Sequence, residues 1–61
     1  MRLKELRQNR GVTQQEVANA IGCAESTYPK YERGERNIDI PTLKKLSKYF
    51  DVSIDYIVEN I

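Results

Sequence analysis

The feature that most limits how this chain can fold is a short segment with a helix start signal at one end and a stop signal at the other. Thr13 is a favourable N-cap, and Glu16 three residues later completes a capping box. Gly22 closes the segment, because glycine readily adopts the left-handed conformation that ends many helices. The sequence therefore predicts a helix over Gln14–Ile21, followed at once by a tight turn.

Four further helices are predicted around this segment from similar signals. They are Arg2–Asn9 before Gly11, Glu25–Glu32 before Gly34, a helix after the Asp39 cap with Pro41 in its first turn, and Ile54–Asn60 after the Ser53 cap. Leu43, Leu46 and Phe50 form the apolar stripe of the fourth helix. Since no strand pattern competes, the predicted fold class is all-α with five helices.

Composition argues against several classes of function. The chain has 61 residues, a single cysteine and no histidine, so we expect no internal disulfide, structural zinc site or histidine-based catalysis. No apolar run is long enough to span a membrane, and the first residues lack the apolar stretch of a secretory signal. These features predict one cytoplasmic domain over residues 1–61, which is not an enzyme. We expect no cofactor, metal ion, membrane partner or small-molecule substrate.

The second and third predicted helices form the unit most informative about function. Short helices joined by a glycine-containing turn cross at a steep angle, and Ala18 is small enough to let their backbones approach. That crossing pushes the third helix outward, where its first residues can enter a DNA major groove. The second helix begins with unpaired N–H groups suited to a phosphate, and the Gln14 amide lies beside them.

Several short motifs also follow one another in order along nearly the whole chain. They are Thr13-Gln14-Gln15-Glu16-Val17-Ala18, Ile21-Gly22, Ser26-Thr27, Tyr31-Glu32-Arg33-Gly34-Glu35-Arg36-Asn37, Leu43-Lys44-Lys45-Leu46 and Val52-Ser53-Ile54-Asp55-Tyr56-Ile57. In this order and spacing they resemble the lambda-repressor-like helix-turn-helix family of phage and bacterial regulators. The resemblance implies a five-helix domain with the helix-turn-helix at helices two and three. It also implies a sequence-specific transcriptional regulator, a repressor, which binds palindromic double-stranded DNA as a homodimer with half-sites about 34–36 Å apart.

The resemblance further implies roles for individual side chains. The positions that contact bases correspond to Glu25, Ser26, Thr27 and Lys30, and those that contact phosphates to Arg10, Gln14, Arg33 and Asn37. Lys30 can donate to guanine O6 and N7, whereas Glu25 needs a cytosine amino group to accept from. Arg7 and Glu32 correspond to a structural ion pair beneath the DNA surface.

The last predicted helix carries more apolar surface than one face can bury. Its apolar side chains are Tyr56, Ile57, Val58 and Ile61. The sequence therefore predicts that these residues form a dimer interface. The alternative is that they pack on the core of their own chain.

Pro29 departs from the family's pattern. Inside a regular helix over Glu25–Glu32, it would lose a hydrogen bond to the Glu25 carbonyl and cost about 3 kcal/mol. If Ser26 is the N-cap instead, Pro29 falls in the first turn, where proline is tolerated. We therefore expect the third helix to begin near Thr27 or to be irregular before Pro29. The other interpretation is that Pro29 weakens DNA binding.

A second class of function stays open at this point. The chain can be a helix-turn-helix-fold protein-interaction module, antitoxin-like or anti-repressor, with weak or no DNA binding. Pro29, Glu25 and a formal net charge of only +1 favour this alternative. The salt dependence of binding to generic duplex DNA distinguishes the two, because phosphate contacts weaken steeply with salt.

Overall fold

The computed structural model describes residues 1–59, and within them all regular structure is helical. The five helices are α1 (Leu3–Arg10), α2 (Gln14–Ile21), α3 (Tyr28–Glu32), α4 (Ile40–Phe50) and α5 (Ile54–Val58). The predicted all-α, five-helix class is confirmed. In the described part of the chain, no helix is both long and apolar enough to cross a membrane.

The capping signals around α2 act as predicted. Thr13 Oγ1 accepts a hydrogen bond from the Glu16 N–H at 3.1 Å, and Glu16 Oε1 accepts from the Thr13 N–H at 3.0 Å. Gly22 ends the helix with a φ of 75°, in the left-handed region where a Cβ is unfavourable. Because both ends depend on contacts within a few residues, the sequence alone is enough to place this helix.

The third helix is shorter than its apolar pattern suggests, as Pro29 requires. Residues 24–27, here called the entry turn, precede α3, and Pro29 is the second residue of that helix. The prediction that the third helix begins near Thr27 is confirmed, since its first residue is Tyr28. The cap residue is Thr27 rather than Ser26, and its side chain makes no capping bond. The Ala24 carbonyl already accepts from the N–H groups of Thr27 at 3.0 Å and Tyr28 at 3.3 Å. The entry turn thus satisfies these donors through the backbone.

The last two helices also begin at their predicted caps. Asp39 Oδ1 accepts from the Thr42 N–H at 3.0 Å, and Ser53 Oγ accepts from the Tyr56 N–H at 3.0 Å. However, α5 ends at Val58, and Glu59 is not helical, so the predicted helix over Ile54–Asn60 is too long. Asn60 itself lies outside the described residues.

A single apolar core joins all five helices. The buried side chains are Leu3, Val17, Ala18, Ile21, Tyr28, Tyr31, Leu43, Leu46, Phe50 and Ile57. Helix α2 packs against α3 and α4, α4 against α5, and α1 against α3. Ala18 has no exposed surface, as expected for the small residue at the α2–α3 crossing. This core fixes the angle at which α3 leaves the body of the protein.

Candidate nucleic-acid interface

The centre of the candidate interface is a carboxylate shared by three helices. Glu32 on α3 accepts from Arg7 Nε at 2.7 Å and from Arg7 Nη2 at 3.2 Å. Its Oε1 also accepts from Gln14 Nε2 at 3.2 Å. We call Arg7, Gln14 and Glu32 the Glu32 cluster. It connects α1, the first residue of α2 and the last residue of α3.

The Glu32 cluster is shielded from water, which strengthens its electrostatics. The side chains of Arg7 and Glu32 are 15% and 4% exposed. Burial alone would raise the pKa of Glu32, but the hydrogen bonds from Arg7 and Gln14 outweigh it, and the pKa is lowered. The hydrogen bond to Glu32 likewise raises the pKa of Arg7. Both groups are therefore charged at neutral pH, and each depends on the other.

Gln14 has a second role at the start of α2. A side-chain amide carries two N–H donors, and only one of them reaches Glu32. The first backbone N–H groups of α2 lie beside it. Among these, the Thr13 side chain accepts only from Glu16, while the Thr13 carbonyl accepts from the later Val17 N–H. This end of α2 therefore retains donors suited to a phosphate oxygen.

The four predicted base-contacting residues lie on the entry turn and α3. Glu25, Ser26 and Lys30 are exposed, and Thr27 is half-buried. Glu25, Ser26 and Thr27 precede the helix, and only Lys30 belongs to α3 itself. The polar edge is therefore presented by a turn and a short helix together.

Three of the predicted phosphate contacts already have partners within the chain. Arg10 donates to the Tyr49 carbonyl near the end of α4, and its guanidinium carbon lies 5.0 Å from the centre of the Tyr49 ring. Arg33 forms a two-point ion pair with Glu35, with Nε–Oε2 at 2.6 Å and Nη2–Oε1 at 3.3 Å. Gln14, as described, donates to Glu32. Asn37, the fourth, is exposed in the loop before α4.

Two of these partners were missed from the sequence. Glu35 lies two residues beyond Arg33, where the chain leaves α3, so no helical spacing rule connects them. Tyr49 is 39 residues from Arg10, a contact without any local signal. The only sequence signal for the Arg33–Glu35 pair was that the two residues lie close together in a polar segment.

The predicted dimer residues differ in how exposed they are in the folded chain. Tyr56 and Val58 are 40% and 42% exposed, but Ile57 is 0% exposed and belongs to the core. The inclusion of Ile57 in a dimer interface is therefore corrected: its side chain has no surface to offer a partner. Ile61 lies outside the described residues. Arg2 covers part of the Tyr56 ring, with its guanidinium carbon 4.8 Å from the ring centre.

Within residues 1–59, no group of three or more cysteine, aspartate or glutamate side chains is arranged to hold a metal ion. What the site offers is a set of donors at the start of α2, a polar edge on the entry turn and α3, and a largely shielded ion pair that links α1 to α3.

Several known proteins with similar sequences are named as transcriptional regulators or repressors. The chain is 37% identical over 59 residues to the cryptic phage CTXphi transcriptional repressor RstR of Vibrio cholerae, covering 97% of this chain and 53% of that protein. It is 44% identical over 57 residues to the HTH-type transcriptional regulator ImmR of Bacillus subtilis, covering 93% of this chain and 45% of that protein. The chain thus spans about half the length of these relatives.

A solved structure and a family model agree with these relatives. The crystal structure of a transcriptional regulator from Listeria innocua superimposes with a TM-score of 0.84 at 29% identity, covering 97% of this chain and 58% of that one. A model of the helix-turn-helix family matches residues 3–57, which include all of α1 to α4 and most of α5. The protein therefore belongs to the helix-turn-helix family.

Proposed function

We propose that the protein is a sequence-specific DNA-binding transcriptional regulator that acts as a repressor. The Glu32 cluster is the observation that carries this proposal, because it holds the start of α2 and the whole of α3 in one fixed relation. A phosphate site and a polar edge at a fixed separation are what recognition of duplex DNA needs. The printed names of relatives such as RstR support the repressor assignment.

Each part of the interface takes a distinct role in this proposal. The start of α2, with the free N–H of Gln14, binds a backbone phosphate and sets the register. Lys30 donates to guanine in the major groove, and Ser26 and Thr27 bind base edges or nearby phosphates. Glu25 accepts from a cytosine amino group, since a carboxylate near phosphates is otherwise repelled. Arg10, Arg33 and Asn37 add phosphate contacts once the two arginines exchange their internal partners for DNA.

The regulator acts as a homodimer on a palindromic operator in this proposal. The exposed faces of Tyr56 and Val58 provide part of a two-fold contact. Half-sites would then lie about 34–36 Å apart, one turn of the duplex. If the purified chain sediments as a monomer at high micromolar concentration, this contact is refuted.

Selection of bound sequences from a random duplex pool tests the function directly. We expect a consensus with two-fold symmetry and binding that weakens with salt at a slope of about −0.9 per phosphate contact. Fluorescence anisotropy on the selected duplex then compares Lys30→Gln with Lys48→Gln, which removes the same charge from α4. Lys30→Gln should cost about 1–3 kcal/mol and relax the preference at one base pair, whereas Lys48→Gln should do neither.

A protein-interaction module is the second candidate, and the internal partners of Arg10 and Arg33 favour it. Both side chains are engaged with their own chain rather than presented freely. Under this alternative no consensus emerges, and generic duplex DNA is not bound even at low salt. Enrichment of one motif together with a steep salt dependence excludes it.

A further inference from the structure

A groove with basic walls lies between α4 and the start of α5. Its volume is about 460 Å³, and it is lined by Lys44, Lys45, Ser47, Lys48 and Ile54. We call it the lysine groove. It contains none of the residues that the proposed function assigns to DNA or to a dimer contact, and a volume of this size accommodates a few side chains of a partner.

The lysines of the groove form no ion pairs with the described part of the chain. Asp39, whose Oδ1 accepts from the Thr42 N–H at 3.0 Å, lies within electrostatic range of Lys45 and offsets part of its charge. The groove therefore attracts anions.

The floor of the groove is apolar, and this restricts which anion fits. Ile54 is only partly covered by the core. The Ser47 hydroxyl is already committed, since it donates to the Val52 carbonyl. A bare phosphate chain would pair with the lysines but leave the apolar surface of Ile54 without an apolar partner. A complementary occupant carries an apolar group between negative charges.

We propose that the lysine groove docks an acidic, amphipathic segment of a partner protein. Lys44 and Lys48 are one helical turn apart, about 6 Å along the axis, which matches carboxylates at i and i+4 of a helical partner. An apolar side chain between those carboxylates covers Ile54. This is a helix-in-groove contact whose specificity comes from charge and one apolar anchor.

The test is an NMR titration of the isotope-labelled full chain with a short synthetic peptide of alternating glutamate pairs and leucines. We expect shift changes confined to residues 44–48 and 54, saturating below about 1 mM. The K44E/K48E double variant should bind about tenfold more weakly or worse, because attraction becomes repulsion. Lys4→Glu, an exposed lysine of α1, is the matched charge control and should bind as the wild type does. The spectrum of each variant reports whether it is folded.

Two peptide controls and two alternative occupants complete the design. Replacing the glutamates by glutamine, or the leucines by serine, should each abolish saturation. Shift changes that map to α2 and α3, or no saturation with the original peptide, overturn the proposal. The proposal is also overturned if, without peptide, the NMR signals of residues 44–48 and 54 change with protein concentration. That result would identify a second copy of the chain as the occupant. A loss of duplex affinity in K44E/K48E that Lys4→Glu does not share would assign the groove to DNA.

Discussion

The Glu32 cluster and the entry turn lie at opposite ends of the same short helix, yet they are held in different ways. Glu32 is enclosed and receives hydrogen bonds from two other helices, whereas the entry turn is exposed and makes mainly backbone bonds. In the Glu32 cluster, each side chain depends on the charge or the hydrogen-bond donor of its partner. In the entry turn, the structure depends on the backbone conformation rather than on side-chain bonds. We therefore expect the fold to tolerate substitutions in the entry turn, where the proposed base contacts lie. The orientation of α3 is set at its other end, by Glu32.

Glu32→Gln should give the largest effect, since it breaks the buried cluster. It leaves the Arg7 guanidinium enclosed without its carboxylate, and we expect a loss of about 3 kcal/mol in the free energy of unfolding. For a chain of this size that is most of the total, so urea unfolding should begin at very low denaturant. Glu35→Gln is the control, because its carboxylate is exposed. An equal loss in both variants would mean that burial of the cluster contributes nothing.

Acid should weaken the Glu32 cluster, because its carboxylate must stay charged to pair with Arg7. The pKa of Glu32 is lowered from 4.5 in the folded chain, so its contribution to stability is complete above pH 4.5. That contribution is lost as the pH falls through the folded-state value. A carboxyl NMR titration of the wild type should place Glu32 below 4.5. A value at or above 4.5 would contradict the hydrogen bonds described here.

Pro29→Ala should change the entry turn with little effect on stability. The new N–H can bond to the Glu25 carbonyl, gaining about 1 kcal/mol, while the lost rigidity of proline costs a similar amount. We expect α3 to lengthen toward Glu25, visible as slower amide exchange at residue 29 than at exposed loops. Pro41→Ala is the matched control, because Asp39 still caps α4. A destabilisation of several kcal/mol would show that the entry turn is as constrained as the cluster.

Glu35→Gln should produce the smallest effect, and on DNA binding rather than on stability. Without its carboxylate partner, Arg33 is free to contact a phosphate, so affinity for generic duplex should rise roughly two- to fivefold and the salt slope should steepen by up to about 0.9. Anisotropy at several salt concentrations measures both. Unchanged affinity and slope would remove Arg33 from the proposed phosphate contacts.

The sequence by itself determined where α2, α4 and α5 begin and part of what fills the core. The caps at Thr13, Asp39 and Ser53 and the stop at Gly22 act within four residues, so each can be recognised locally. Helical periodicity likewise identified the buried face of α4, formed by Leu43, Leu46 and Phe50. The resemblance carried by the ordered motifs added the family and the expected site residues, including the Arg7 and Glu32 pair.

Only the tertiary structure decided which of the expected site residues are buried or bonded within the chain and which are exposed. Ile57 faces the core rather than a partner because α5 packs on α4 and its carbonyl accepts from the Arg2 N–H at 2.9 Å. Arg10 lies on Tyr49 because the ends of α1 and α4 meet in space. A long side chain can bind any suitable group near it in space. Which groups are near it is determined only when the chain has folded. The lysine groove follows the same rule, because Ile54 becomes its floor only where α5 turns back along α4.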